Sequence, residues 1–446
     1  MPTIESHLNV NTQTPPLSFP HKHITPKPQH ATIAHCPFSP SLNPSHSQSK
    51  GHPNLPTMPA SSSFFLLFLV FLSGSSLNVV DSLTAPSEVA ALKAFKSAVK
   101  PSSIPSWSCL ATWNFSAADP CSSPRRAFFT CGLSCSADSS RVTQLTLDPA
   151  GYSGTLTPLI SKLSQLAILD LAENSFHGPI PPSISALSNL QILTLRSNSF
   201  SGSLPPSIAS LRSLDSIDLA YNSLSGPLPK SMSSLANLKR LDLSFNKLTG
   251  SIPKLPADLL ELAMKGNSLS GPLQRSSFDG LAQLEVIELS QNSLSGTLEP
   301  WLFLLPSIQQ VDLANNTLTR VDVPRPPAGA GSSLVAVDLG FNRIEGNVPL
   351  NLASYPLLSS LSLRYNRLRG GIPVEFSKKQ TLRRLFLDGN FLTGKPPPAF
   401  FSAATAFSGS LGYNCLQGCP ASSQLCVPSQ KPVAICRQAY GGKPRS

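Results

Sequence analysis

Two sets of residues in this 446-residue chain could do chemistry by their type and spacing: cysteines gathered at both ends of a long Leu-rich stretch, and arginines crowded toward its C-terminal end. The cysteines are Cys109, Cys121, Cys131 and Cys135 before that stretch and Cys415, Cys419, Cys426 and Cys436 after it, with Cys36 far upstream. Cys131/Cys135 and Cys415/Cys419 have a spacing that can ligate zinc. In an oxidising compartment the same two even-numbered clusters predict disulfides confined to each end, and the targeting segment described below favours that reading. The arginines of interest are Arg364, Arg383 and Arg384, with Phe386 beside them and Arg367 and Arg369 at the rim. Paired guanidinium groups suit bidentate recognition of carboxylates.

Acid–base and nucleophilic catalysis find no such support. Seven of the eight histidines fall in the first 57 residues, leaving His177 at a variable turn position, so no His-based triad can be assembled. There is no Gly-rich phosphate loop, no kinase motif and no metal-spaced His pair. The reading is a non-enzyme without cofactor or metal. The formal charge of +11 is local: residues 360–446 hold twelve Lys/Arg against two Asp/Glu, and the rest is nearly neutral. A polyanion argument therefore concerns only the C-terminal quarter, and secretion disfavours nucleic acid as the partner.

The elements that must position these residues begin with a targeting segment. Residues 64–72 form an unbroken apolar run, too short for a bilayer span, which needs about 20 residues. It is followed by Ser73, Gly74, Ser75 and Ser76, as a secretory signal requires. Residues 1–57 are read as a disordered prefix, rich in His, Pro and Ser, and 58–82 as the signal peptide. No later apolar span, C-terminal hydrophobic tail or kinase segment follows, which predicts a secreted protein of the apoplast, cell wall or outer membrane face without a transmembrane anchor.

From Val142 the chain repeats with a period near 24, anchored by Asn174, Asn198, Asn222, Asn246, Asn267, Asn292, Asn316, Asn342, Asn366 and Asn390, with Ala150 at the anchor of an atypical first unit. Each unit reads L-x-x-L-x-L-x-x-N, the leucine-rich-repeat signature. Side chains alternate along a strand, so the leucines point into a core and the residues between them outward. The anchor amide can satisfy the backbone of a tight turn. Residues 142–400 are read as about eleven such units, 83–141 as an N-terminal cap and 401–446 as a Cys-containing C-terminal cap with a basic tail. The expected fold is an α/β right-handed leucine-rich-repeat solenoid with a parallel sheet on the concave face and disulfide-stabilised caps, which an open solenoid end requires.

After each anchor comes x-L-x-G-x-I/L-P, as in Lys247 to Pro253. With it the chain resembles the plant-type extracellular leucine-rich-repeat proteins, among them receptor-like ectodomains and polygalacturonase-inhibiting proteins. The stretches Glu88 to Phe95 and Trp113 to Cys121 look like that family's N-terminal cap. The resemblance implies an extracellular ligand-binding or co-receptor protein whose partners are a peptide, a protein or an anionic polysaccharide, with a membrane receptor kinase as signalling partner. The alternatives are an inhibitor of secreted cell-wall hydrolases and a pectin-binding structural wall protein.

The outward column on the concave face reads Asp170, Thr194, Asp218, Asp242, Ala263, Glu288, Asp312, Asp338, Ser362, Phe386, an acidic strip that ends before the arginines. Eleven strands at about 4.8 Å make an arc of roughly 48 Å. Asn114 and Asn315 stand in N-glycosylation sequons, and a glycan on Asn315 would cover part of this face. The unit between Asn316 and Asn342 is long, and its segment 320–331 is expected to bulge as a loop.

Overall fold

The computed structural model describes residues 84–115, 119–121, 132–327, 331–402 and 408–441. The prefix 1–57, the signal segment 58–82, Cys131 and part of the 320–331 loop lie outside them. Among the described residues the strands of successive units stack in register, as Arg240↔Ser216, Leu241↔Ile217 and Asp242↔Asp218, to make a thirteen-stranded sheet. Its strands are three residues long in each regular unit because only the L-x-L core is extended. One residue of each faces the core: Leu169, Leu193, Ile217, Leu241 and Leu262 are almost wholly buried, while the flanking residues face out. The concave parallel sheet expected from the alternation is present.

A second sheet of eight strands runs behind the first, built from the x-L-x-G stretches, such as Lys247–Gly250. Short 3-10 turns such as Pro206–Ser210 connect the layers. The back sheet stops after the strand Thr317–Val321, and a separate pair, Glu345–Asn347 with Arg367–Arg369, follows. The long unit carrying 320–331 thus interrupts the back layer, while the front sheet passes through it in register, as Asp312↔Asp338 shows.

The Asn ladder ties consecutive units. The Asn198 amide donates to the carbonyls of Leu171, Leu195 and Arg196 at 2.9, 3.1 and 3.1 Å and accepts from Phe176 N–H at 2.9 Å. Where Ala150 replaces the anchor, Asn174 reaches back to accept from both Gly151 and Tyr152 N–H. The buried Tyr152 hydroxyl donates to Asp148 at 2.6 Å, and burial pushes its pKa up to about 12.

Both ends are closed. The helix Pro86–Ser97 buries Ala91, Leu92 and Phe95 over the first unit, with Phe95 packed on Phe176 and Trp113. The strand Gly132–Cys135 pairs antiparallel with the edge strand Val142–Thr146. At the other end Leu411 N–H donates to Leu425 O and Ser410 Oγ to Val427 O, so the segment after residue 423 runs along the last rung. Disulfides join Cys121 to Cys135, Cys415 to Cys436 and Cys419 to Cys426. Cys109 is disulfide-bonded as well. Each described pair stays within one end.

The ladder does not stop at residue 400, where the sequence reading placed the start of the C-terminal cap. The strand Ser408–Ser410 adds a further rung, and Asn414 makes the anchor contacts to Leu387, Leu411 and Gly412 carbonyls. Among the described residues no helix is long and apolar enough to cross a membrane.

Candidate ligand-binding face

The strand Arg384–Phe386 sits in register between Ser360–Ser362 and Ser408–Ser410. Leu385 is buried, so Arg384 and Phe386 share the outward face, as expected. Arg383 and Arg384 are exposed, and among the described residues neither closes an ion pair.

Arg364 differs. It emerges from the column after the strand and lies over the Phe386 ring at 4.7 Å and the Phe341 ring at 5.9 Å. Its guanidinium reaches the buried Asp388 carboxylate at 3.4 Å. An arginine stacked on rings and shared with an internal carboxylate is fixed in place rather than free to sweep solvent. The structure therefore brings Arg364, Arg384 and Phe386 to one surface, but Arg364 arrives already partnered. Asp388 escaped the sequence reading. The clue was available: it falls one period after Arg364, in the same column of the next unit.

The two rim arginines do not extend this surface. Arg367 and Arg369 belong to the back-sheet strand, where Arg367 pairs with Glu345 at 3.2 Å and Arg369 lies over the Tyr440 ring. A second internal cluster sits near the N-terminal end of the same front face, where Arg196 bridges Asp218 at 3.5 Å and lies over Tyr221.

The acidic column is present as read, with Asp312, Asp338 and Ser362 on successive rungs. Burial pushes Asp170, Asp218, Glu288 and Asp338 above the ordinary carboxylate range; Asp312 adds repulsion at Glu288 and Asp338. At Asp338 the Gly340 N–H, donating at 2.8 Å, and the neighbouring Ser362 hydroxyl pull partly the other way.

The residue just before each anchor takes a left-handed conformation, φ 53° at Asn315 and 55° at Phe341. These residues form a rim beside the face. Tyr221 stacks on Phe245 with centroids 4.5 Å apart, and Phe341 on Tyr365 at 4.8 Å. Gly389 follows Tyr365 because a Cβ there would come within 2.7 Å of the ring. These aromatic stacks were not anticipated, although the one-per-unit spacing was visible. Asn315 is exposed on this rim and borders a pocket with Asp312, Asp338, Phe341 and Arg364. Asn114 is exposed in the N-terminal region. His177 lies on the back-sheet strand Ser175–Gly178, with its own strand carbonyl Ser175 O at 3.4 Å.

Comparison with known proteins adds the following. Residues 188–248 match the family description leucine rich repeat, as do 165–187, 357–378 and 381–403. Receptor-like protein 7 of Arabidopsis thaliana is 38% identical over 74 residues, covering 17% of this chain and 7% of that protein. The crystal structure of PEPR1–AtPEP1 superposes with a TM-score of 0.65 at 30% identity, covering 75% of this chain and 45% of that one. The Arabidopsis receptor kinase HAESA, in complex with the peptide hormone IDA and the co-receptor SERK1, superposes with a TM-score of 0.54 at 35% identity, over 59% of this chain and 44% of that one. The chain thus spans less than a tenth of this curated relative and under half of these solved chains.

Proposed function

We propose that this leucine-rich-repeat chain is a plant-type extracellular recognition module that binds an extracellular peptide on the concave face, with Arg384 and Arg364 taking the peptide's carboxylate. The observation that carries this reading is the placement of Arg384 beside Phe386 on the last regular strand, with Arg364 held over the same ring by Asp388. A preset cation next to an exposed one gives a carboxylate two donors, and the fixed one loses little conformational freedom on binding. The HAESA complex, a receptor kinase with its peptide hormone IDA and the co-receptor SERK1, supports a peptide as ligand class, and a membrane receptor kinase is proposed as signalling partner. Asn114 and Asn315 are proposed as N-glycosylation sites, and secretion to the apoplast follows from the 58–82 signal reading.

An anionic wall polysaccharide is the second reading, favoured by the exposure of Arg383 and Arg384 together. Binding of free-acid peptides and of polygalacturonate is to be measured on the wild type and on Arg364→Ala/Arg384→Ala across a salt series. The peptide reading expects at least a tenfold loss of peptide affinity in the double variant, with modest salt dependence. Polyuronate binding falls steeply with salt, since exposed charges are screened over about 8 Å at physiological ionic strength. Unchanged binding of both ligand classes removes these residues from the site.

A further inference from the structure

The outward columns of the back layer change character along the array. The seven back strands from Ser153–Thr155 to Ser293–Leu298 present mainly Ser and Thr; they hold one Lys, Lys247, and no Asp or Glu. Where the eight-stranded sheet ends, arginines take these positions. Arg343 and Arg367 each follow an anchor Asn, and Arg369 closes the strand Arg367–Arg369. Ile344 and Leu368 are fully buried, so by strand alternation their neighbours face out. Arg343 N–H donates to Leu318 O and Arg367 N–H to Ile344 O, each at 2.9 Å, which sets the two arginines on successive rungs. Lys395 lies one rung beyond, since Thr393 N–H donates to Gly370 O at 2.8 Å. All four cationic side chains are exposed.

Little opposes this charge. Residues 317–322, 343–347, 367–371 and 391–395 hold five cations, these four and Arg320, against two carboxylates, Asp322 and Glu345. Glu345 pairs with Arg367 at 3.2 Å, and among the described residues Arg343, Arg369 and Lys395 close no ion pair. Arg369 lies over the Tyr440 ring at 5.7 Å. That ring is itself fixed, because its hydroxyl donates to Phe391 O at 2.6 Å and accepts from Gly370 N–H at 3.3 Å. An arginine backed by a ring and another steered by a carboxylate are in place before a ligand arrives, which lowers the entropic cost of binding. Asn347 stands opposite Arg369 in register, and Thr393 follows on the next rung, so amide and hydroxyl groups are set among the cations.

We propose that this back surface binds a linear polyuronate, an acidic polysaccharide with a carboxylate on each sugar, through Arg343, Arg367 and Arg369. A guanidinium fork donates two parallel hydrogen bonds to a carboxylate. The rungs repeat at about 4.8 Å, close to the advance per sugar of an extended uronate chain, and the amide and hydroxyl groups between the arginines suit sugar hydroxyls. The surface lies on the layer behind the concave sheet, so a peptide on that face and a polysaccharide on this one are held at the same time. The inference goes beyond the peptide reading and places the anionic polysaccharide away from Arg383 and Arg384.

The test uses the full secreted protein and a fluorescein-labelled oligogalacturonate, read by fluorescence anisotropy in calcium-free buffer. Arg343→Gln/Arg367→Gln/Arg369→Gln is expected to weaken binding about tenfold or more, through the loss of charge-assisted hydrogen bonds. Arg343→Gln/Arg367→Gln, which spares the contact of Arg369 with Tyr440 in the cap, is expected to lose about fivefold at an unchanged melting temperature, so a poorly folded triple variant still leaves the question decided. Arg383→Gln/Arg384→Gln keeps the wild-type affinity, as does Arg212→Gln/Lys230→Gln/Lys254→Gln, which removes three exposed cations from other units. An equal loss in that last variant reports diffuse attraction by net charge and overturns the proposal. So does a loss confined to Arg383→Gln/Arg384→Gln, which returns the polysaccharide to the concave face. Equal binding of the methyl-esterified oligomer removes the carboxylate contact, and equal binding of a glutamate peptide of matched charge makes the surface one for acidic proteins; either result overturns it as well. Failure of free-acid peptides to bind through Arg384 leaves these outcomes unaffected, so the two readings fail separately.

Discussion

The Asn342 amide donates to the carbonyls of Leu313, Leu339 and Gly340 at 2.9, 3.1 and 3.2 Å and accepts from Leu318 N–H at 3.0 Å. One side chain thereby satisfies the turn of its own unit and the backbone of the unit before it. Replacement by Ala leaves several buried backbone groups unpaired at once, and Asn342→Ala is expected to cost about 3 kcal/mol, measured by urea unfolding; a loss within 0.5 kcal/mol would assign the stability to the leucines alone. The anchors were legible in the sequence because their role depends on spacing. Arg384, Phe386 and the acidic column were legible for a similar reason, since alternation along a strand decides which way a side chain faces. What Arg364 does was not legible in this way. Whether it offers a free guanidinium or one spent on Asp388 depends on how a long side chain folds across two neighbouring units, and no periodicity encodes that.

Elements at the two ends of the solenoid have a different task, because the last strand of any stack has unpaired backbone groups and a bare core. At the N-terminal end, Glu88 on the cap helix is fully buried, accepts from Arg141 at 2.7 Å, and accepts from Val142 N–H at 2.7 Å. A single carboxylate joins the cap helix to the first strand. Glu88→Ala leaves that N–H and the guanidinium without their acceptor. Because Arg141 is about one-third exposed, the cost is set below that of a fully buried pair, at about 2 kcal/mol. Loss of hydrogen-exchange protection at Val142 to Thr146 ahead of the later strands is the expected signature; uniform loss along the whole array would refute a local role. The helical spacing of Glu88 to Phe95 was readable, but not that Glu88 would face inward, since a buried Glu runs against its usual placement. At the C-terminal end the missed rung has a clear cause. The leucine that marks a strand is replaced by Gly409, whose Cβ would fall 1.9 Å from Leu385 O. The chain here passes too close to its neighbour for any side chain, so the Leu signal disappears while Asn414 keeps the period.

At the scale of the whole array, several of the outward carboxylates are pushed the same way. Asp170, Glu288 and Asp338 have pKa values raised above the ordinary 3.8 for Asp and 4.5 for Glu, chiefly by burial. The folded state therefore holds protons at pH values where the unfolded chain has released them. Above its folded pKa each of these groups, ionised, lowers stability relative to the unfolded chain; as pH falls through that pKa toward the ordinary value, the cost is relieved. Stability is thus expected to rise as pH falls through these raised pKa values toward the ordinary carboxylate range. Asp138 acts in the opposite sense and lower window: hydrogen bonds from Ser136 and Ser140 hold its pKa down to about 2, so its contribution is present above 3.8 and is lost as pH falls toward 2. A maximum in mild acid follows, with a melting temperature above that at pH 7. Thermal melts from about pH 3 to 8, at low and high salt, check this. The variant Asp170→Asn/Glu288→Gln/Asp338→Asn leaves the Arg196–Asp218 and Arg364–Asp388 pairs intact and is expected to flatten the rise on going from neutral pH into mild acid. A wild-type profile that rises steadily to neutral pH, or a variant that keeps the wild-type slope, would show that the acidic line is solvated well enough to carry no linked protons.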